Sequence, residues 1–584
     1  MITRTSLRLL LAAATLATTA LAALPTLPSE RTPTFETGRS PTRVLHVAIT
    51  GNDSTGDGST ARPLRTIGRG AAAAAPGTSI IVHSGTYPGG TYISNLAGTA
   101  TAPIWIGGAP GEPRPVISGS AEGIHLTAVR YLILHNLEIT ASTDNGLNCD
   151  DGGAYANPEA TQHLVLRDLR IHHVGTGGNQ DGMKLSGVND YFVLGCEITD
   201  GSAGGSGIDH VGCHRGLLVG NRFVRAGTNA VQTKGGSTDI EIRGNWVEEC
   251  GSRGLHIGGS TGFAYFREPL STTATNYEAR RIRAIANVII GAESAAGIVG
   301  ASDCLVLNNT ILTPHNWIFR ILQETVTTPP YTFAACGNNT VANNLFYYDR
   351  ADLSSFVNVG ANTAPATFTF SHNLWYNYPN PAQSAPSLPV AETGGIIGQN
   401  PLLADVASGD LRLLPGSPAL RAGNAYPELI LDYQGLPYGP TPAIGAFASD
   451  TATYAAWRSA SFAGSDLAND SISGPLADPG GAGVTNFQRY AFALAARGPV
   501  AAPGTLGTVS TGGQTYLTLS FNRRAVATDL SYSIEASTDL VTWTPVPGLT
   551  YTAGTPARVT AQDTVAVGSS GAARRFLRVR VSQP

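Results

Sequence analysis

Six short segments in the middle of the chain can be written one beneath another: NGLNCDD (145–151), DGMKLSG (181–187), SGIDHVG (206–212), NAVQTKG (229–235), RGLHIGG (253–259) and AGIVGAS (296–302). Their third residues, Leu147, Met183, Ile208, Val231, Leu255 and Ile298, are all apolar. Side chains alternate between two faces along a strand, so this column should face a core and its neighbours should face outward. The outward residues then read Asn148, Lys184, Asp209, Gln232, His256 and Val299, with Asp150, Ser186, Val211, Lys234, Gly258 and Ala301 two positions further on. A merely solvated face favours Ser, Thr and mixed charges. Here two lysines, two aspartates and a histidine converge among glycines that keep the surface open. At about 4.8 Å per step, Lys184 to His256 spans roughly 14 Å, enough for several sugar rings of an extended polymer.

The chemistry these types allow is β-elimination on a uronate, which needs a cation for the carboxylate, a base for the C5 proton and an acid for the leaving oxygen. Lys234 is the expected base, with its pKa lowered by Lys184 or by burial. Lys184 or Arg267 would pair with the carboxylate, and His256 would protonate the leaving group or share the base role. Asp209, Gln232, Asn148, Asp150, Arg253, Arg267 and Tyr265 complete the expected substrate-binding set. Two other outcomes stay open: a glycoside hydrolase pairing Asp209 with Asp150 or Asp181, and an epimerase or a binding protein without chemistry. No resident cofactor or metal ligand set is read from these residues. His210, on the inward parity, is expected inside, and the adjacent His172 and His173 are expected to be structural.

The elements that would position these residues follow from a repeat. A small polar residue precedes an apolar strand at Asn136, Asp168, Cys196, Asn221, Asn245, Asn287, Asn309, Asn344 and Asn373. Cys196, Asn221 and Asn245 are about one coil apart, the signature of a solenoid whose coils bury their apolar sides only against their neighbours. Asn side chains at one corner can stack as a ladder. The expected class is all-β, a right-handed single-stranded parallel β-helix over 43–450, with a short Ala-rich capping helix near 65–75. Residues 261–282 (TGFAYFREPLSTTATNYEARRI) break the period and should form a loop on one face, often the binding face.

Composition agrees. Gly is abundant at 69, charged residues are 13%, and 37 basic against 41 acidic residues leave no field for nucleic acid. Residues 1–22 read as a secretory signal peptide and 23–42 as a linker, so secretion is expected, with no membrane span and a monomeric state. The six cysteines, Cys149, Cys196, Cys213, Cys250, Cys304 and Cys336, read as small buried residues of stacked coils rather than a disulfide scaffold. Residues 451–500 read as a connecting module with a helix near 486–496, and 501–584 as a small β-sandwich-like unit.

The stretch GNDSTGDGSTARPLRTIGRGAAAAAPGTSIIVHSGTY resembles the N-terminal cap of the pectate-lyase-like superfamily, and the resemblance covers roughly 44–450. VQTKGGSTDIEIRGNWVEECGSRGLHIGG is similar to the chondroitinase B and alginate lyase family. That resemblance implies a secreted enzyme acting on an acidic polysaccharide, with Lys234 in the catalytic Lys position and His256 near the catalytic Arg position. The family's Ca2+ would be held by acidic residues shortly before the Lys, where this chain has Gly227 and Asn229. The C-terminal segment resembles modules of secreted Verrucomicrobia proteins and implies no activity.

Overall fold

The computed structural model describes residues 32–584 apart from 415, 436–437, 439–440, 449–453, 463, 499, 501–502, 525–526, 528, 552–557, 569–573 and 584. The expected signal peptide and the first part of the expected linker lie outside the described residues. Three long parallel sheets, of 15, 12 and 10 strands, run the length of the repeat region, and each coil contributes to each sheet in turn. This is the parallel β-helix that the repeat predicts. Helix Ile67–Ala73 starts on a Thr66 cap and buries Ile67, Gly70 and Ala71 against the first coil. A Cβ at Gly70 would stand 3.0 Å from Ile80 and 3.1 Å from Val47, so the glycine lets the helix seat on the open end of the stack.

The ten-stranded sheet carries the aligned segments. Leu147 pairs with Met183, Met183 with Ile208, Ile208 with Val231 and Val231 with Leu255, and all five are buried. The predicted inward column therefore holds across these coils. Beyond them the register differs. A bulge after Gln232 inserts one residue in the next strand, so Thr233 sits opposite Gly258. Ala296, not Ile298, faces Leu255, while Ile298 pairs with Ile257. The shift is two residues, which preserves parity, and Ile298 stays buried. Gly258 thus leaves the Lys234 position and Val299 leaves the His256 position.

The corner ladder is present with one correction. Asn221, Asn245, Asn287, Asn309, Asn344 and Asn373 each accept, through Oδ1, the N–H of the residue one coil earlier, at 2.8 to 3.0 Å. Their Nδ2 groups donate to a backbone carbonyl of a preceding coil, as Asn221 does to Val193 at 2.9 Å. Asn136 and Asp168 are not rungs. They occupy the preceding left-handed corner (φ 51° and 50°), where Gly195, Gly220 and Gly244 stand in later coils, and buried Leu137 and Leu169 take the ladder column. Asn and Asp are the side chains that tolerate this conformation best after Gly, which is why they mimic the ladder signal in sequence.

All six cysteines are buried and free. Downstream of the helix, Asn486–Ala491 forms a short helix with a capping box at Thr485. Strands from Gly504 to Ser582 then make two three-stranded antiparallel sheets. No helix among the described residues is long and apolar enough to cross a membrane.

Candidate active site

Read coil by coil, the outward column of the ten-stranded sheet is Tyr92, His125, Asn148, Lys184, Asp209, Gln232, His256, Gly297, Arg320 and Asn358. The centre is an ion cluster. Lys184 Nζ bonds Asp209 Oδ2 and lies 3.4 Å from Asp181 Oδ2, while Lys234 Nζ stands 3.1 Å from the same Asp209 oxygen. Gln232 Oε1 lies 3.5 Å from both Lys234 Nζ and Ser206 Oγ. The lysine side chains are 21% and 13% exposed, and both carboxylates are 1% exposed. The lysines therefore present the face of the cluster and the aspartates its floor.

Burial, and then the charge of Asp209, push the Asp181 carboxyl up to about 7 against the pull of Lys184 and Lys234. Burial would lower Lys184, but Asp209 and Asp181 outweigh it and hold the ammonium above its ordinary range. The anticipated lysine–lysine contact is replaced by a shared carboxylate: Lys234 and Lys184 both pair with Asp209. His256 is buried, and that burial together with Arg253, Lys234 and Arg320 lowers its pKa well below the usual value. Arg253 Nη1 lies 3.4 Å from His256 Nδ1, so the neutral ring carries its proton on Nε2, which has no partner among the described residues. Burial thus disfavours a charged His256, and its neutral ring presents an N–H at Nε2.

A second cluster is centred on His125, one coil upstream of the first aligned segment. His125 is held between Glu122 and Asp150, with Nδ1 2.8 Å from Glu122 and Nε2 2.7 Å from Asp150. Asn148 donates to Glu122 at 3.0 Å, and the Tyr92 ring meets His125 edge-on at 5.0 Å. Asn148 and Asp150 therefore belong to this cluster rather than to the lysine centre. The signal was legible, because EGIHLT has the same Gly-apolar-polar-apolar pattern. Arg320 was hidden, since NWIFRIL contains no glycine to align on.

Arg267 does not clamp a groove ligand. Its Nε donates to Asp151 Oδ2 at 2.6 Å, its Nη1 donates to the Tyr265 carbonyl at 2.9 Å, and the guanidinium stacks 4.0 Å over Tyr155. The loop of 261–282 is anchored by its own aromatics, with Phe263 and Phe266 packing on Phe333 and Phe263 on Tyr331. Tyr265 remains 60% exposed. Glu278 ties this loop to the site: fully buried, it accepts from Gly235 N at 2.8 Å, from Thr261 N at 2.8 Å and from Thr261 and Thr325 hydroxyls. That fixes the turn directly after Lys234. His210 is interior as expected, with Nδ1 2.7 Å from the Gln232 carbonyl and burial lowering its pKa to about 4. His172 and His173 lie 2.8 Å apart, and His172 reaches Glu138 at 3.3 Å.

Calcium needs a group of free oxygen ligands. Among the described residues no three His, Cys, Asp or Glu side chains are grouped to hold a metal ion. The Asp209 and Asp181 carboxylates are already covered by Lys184 and Lys234. The donor set does not fit the ion.

Residues 122–311 match the family model of the right handed beta helix region. The chain thus carries a right-handed parallel β-helix. Solved structures similar to it include the pectate lyase Pel9A, 18% identical over 73% of this chain and 99% of that one, with a TM-score of 0.46. A GH136 lacto-N-biosidase from Eubacterium ramulus is 14% identical over 61% of this chain and 68% of that one (TM-score 0.40). An alginate lyase from Paenibacillus sp. str. FPU-7 is 16% identical over 56% and 99% (TM-score 0.36). These likenesses concern shape and say nothing of substrate. No curated protein matches the chain by sequence.

Proposed function

We propose that this protein is a secreted enzyme that cleaves a uronate-containing polysaccharide by β-elimination on the lysine face of the ten-stranded sheet. The observation that carries this reading is the layering of the cluster: two lysine amino groups face the groove, and the aspartates lie beneath them. An anionic polymer meets cations first. Lys184, kept charged by Asp209 and Asp181, pairs with the substrate carboxylate and offsets the charge that develops there. Lys234 acts as the free amine: its lone pair takes the C5 proton, the C5–H electron pair forms the C4–C5 double bond as the C4–O bond breaks, and the resulting ammonium passes that proton to the leaving oxygen. Neutral His256 supports that oxygen with its Nε2–H.

One observation favours a second reading. Asp181, lifted to about 7, and Asp209, which pairs with both lysines, reach the same Lys184 amino group. A proton-holding carboxyl beside a second carboxyl group is the kind of pair that a glycoside hydrolase divides between acid and base. The products separate the two. Incubation with pectate, alginate and a glycosaminoglycan panel should generate the ultraviolet absorbance of a conjugated double bond on at least one polymer. Lys234→Ala should lower that rate by roughly 10²–10⁴-fold. New reducing ends without absorbance, with Asp181→Asn and Asp209→Asn inactive, would establish hydrolysis instead.

A further inference from the structure

At the downstream end of the outward column, Arg320 differs from the central lysines in having no carboxylate paired with it. Arg320 Nε donates to Asn358 Oδ1 at 3.2 Å, and its guanidinium lies 4.4 Å over the Trp317 ring. Within 4.0 Å no carboxylate pairs with it among the described residues. A guanidinium pinned by a stack and one hydrogen bond, with its remaining N–H groups uncommitted, is preorganised to pair with two oxygens of an oxyanion. Arg253 approaches from the neighbouring coils. Its Nη1 lies 3.4 Å from His256 Nδ1, its Nη2 is 3.6 Å from Glu324 Oε1, and its stem crosses the backbone of Gly297. A Cβ on Gly297 would stand 2.7 Å from Arg253 Cδ, so only glycine there lets Arg253 lie across the column next to Arg320. Buried His256 Nε2 has no partner beside them.

We propose that Arg320 and Arg253, brought together across Gly297, form a subsite for a second anionic group of the polymer, a carboxylate or a sulfate ester. Arg320 lies five coil steps from Lys184, about 24 Å, so the two anions recognised belong to different sugar units of one chain. The upstream end is built the opposite way. Glu122 and Asp150 flank His125 there, so the polymer end lying over Tyr92 is a unit without an acid group. The assignment rests on the groove reading above but not on its chemistry.

The test is affinity electrophoresis of the full chain through gels holding alginate (carboxylate only), a sulfated galactan (sulfate only) or neutral dextran. Retardation is expected in one or both anionic gels and not in dextran; the gel that retards names the anion. Arg253→Ala and Arg320→Ala should each weaken it, and the double variant should raise the apparent Kd about tenfold or more, as expected for lost charge-assisted hydrogen bonds. Arg320→Lys keeps the charge without the planar stack and should fall between, an arm that remains informative if the alanine variant melts early. Arg170→Ala, which removes a half-exposed arginine between Glu138 and Glu197 on another sheet, should change nothing. Equal retardation of wild type and the double variant, an equal loss in Arg170→Ala, or retardation in dextran would each overturn the subsite. If retardation depends on both arginines while no polymer ever gives absorbance, the subsite stands and the elimination reading falls. If absorbance appears and retardation ignores both arginines, the reverse holds.

Discussion

Two columns of polar side chains run along this β-helix, one rung per coil, and they are built to opposite rules. In the corner ladder from Asn221 to Asn373 every amide oxygen accepts a backbone N–H and every amide nitrogen donates to a carbonyl. The last rung ends on Glu392, which accepts both Asn373 N–H groups at 3.0 and 2.6 Å. In the outward column, Asp209 Oδ1, His256 Nε2 and, at the strand start, Asn229 Oδ1 are buried without a hydrogen-bond partner. Buried polar groups are ordinarily satisfied, because an orphaned one costs roughly 1–3 kcal/mol. The same device of stacked polar rungs is therefore saturated at the corner and left with unpartnered atoms in the outward column, the contrast on which the proposed groove rests.

The strongest way to break this contrast is to damage the saturated column. Asn287→Ala removes the acceptor of Asn245 N–H and of Asn245 Nδ2 (both 3.0 Å) and the donor to Ile242 O (2.8 Å), and it leaves a cavity in a site of zero exposure. The expected loss is about 2–4 kcal/mol, seen as a melting temperature lower by several degrees. Turnover per folded molecule should stay within about twofold of wild type, since no rung touches the lysine centre. A variant that melts like wild type but has lost turnover would erase the distinction between the two columns.

A smaller effect comes from the floor of the groove. Asp181 is poised near pH 7 because it is buried beside Asp209. As pH rises through 7 it ionises and adds a negative charge next to Lys184, so the KM for an anionic polymer should rise across that range, by several-fold. Asp181→Asn should flatten the dependence. The sign for stability is equally fixed. A folded-state carboxyl pKa above the unfolded value means that stability falls as pH climbs from about 4 to about 7, because the unfolded chain releases the proton more readily. Asp181→Asn should therefore gain stability relative to wild type above pH 7, on the order of 1 kcal/mol or more, and lose that advantage near pH 4. Parallel melting curves for the two proteins at every pH would remove Asp181 from this role.

How much of this was legible before folding depended on whether local pattern and global register coincide. Leu147 through Leu255 could be aligned because each segment repeats an apolar residue two places after a small or polar start, and lattice parity did the rest. The alignment failed past Leu255 because the extra residue at Ile257 and the excursion of 261–282 change the count between coils, and nothing local marks a bulge. His125 was missed by stopping one coil early, and Arg320 because its strand has no glycine. Arg267 was misassigned for a different reason: an arginine in an aromatic loop looks like a sugar clamp, but its partner Asp151 is 116 residues away in sequence and only the fold brings them together. Charge type was readable at each position; which charges already neutralise each other was not.

The smallest expected effect tests why the saturated column starts where it does. Cys196 occupies the rung before Asn221, and its N–H donates to Asn221 Oδ1 at 2.9 Å, as every later rung does to its successor. Its thiol makes weaker contacts than an amide would: Sγ lies 3.5 Å from the Leu166 carbonyl and 3.7 Å from the Leu194 carbonyl. Burial pushes the thiol up to about 12, so it stays protonated and inert across the working range. An asparagine in its place would replace two weak sulfur contacts with amide hydrogen bonds of the kind Asn221 already makes to Val193 and Asn245. The exchange is worth about 0.5–1.5 kcal/mol if the added atoms fit, and it costs a similar amount in overpacking if they do not. The neighbouring rung decides between these: Asn221 occupies the same corner one coil on, 1% exposed, with its amide donating to Val193 O at 2.9 Å. Cys196→Asn should therefore raise the melting temperature by about 1–3 °C, with turnover unchanged. A fall of more than that amount would mean that the ladder ends at Asn221 because the next coil has no room for an amide, so that packing rather than hydrogen bonding sets the length of the saturated column.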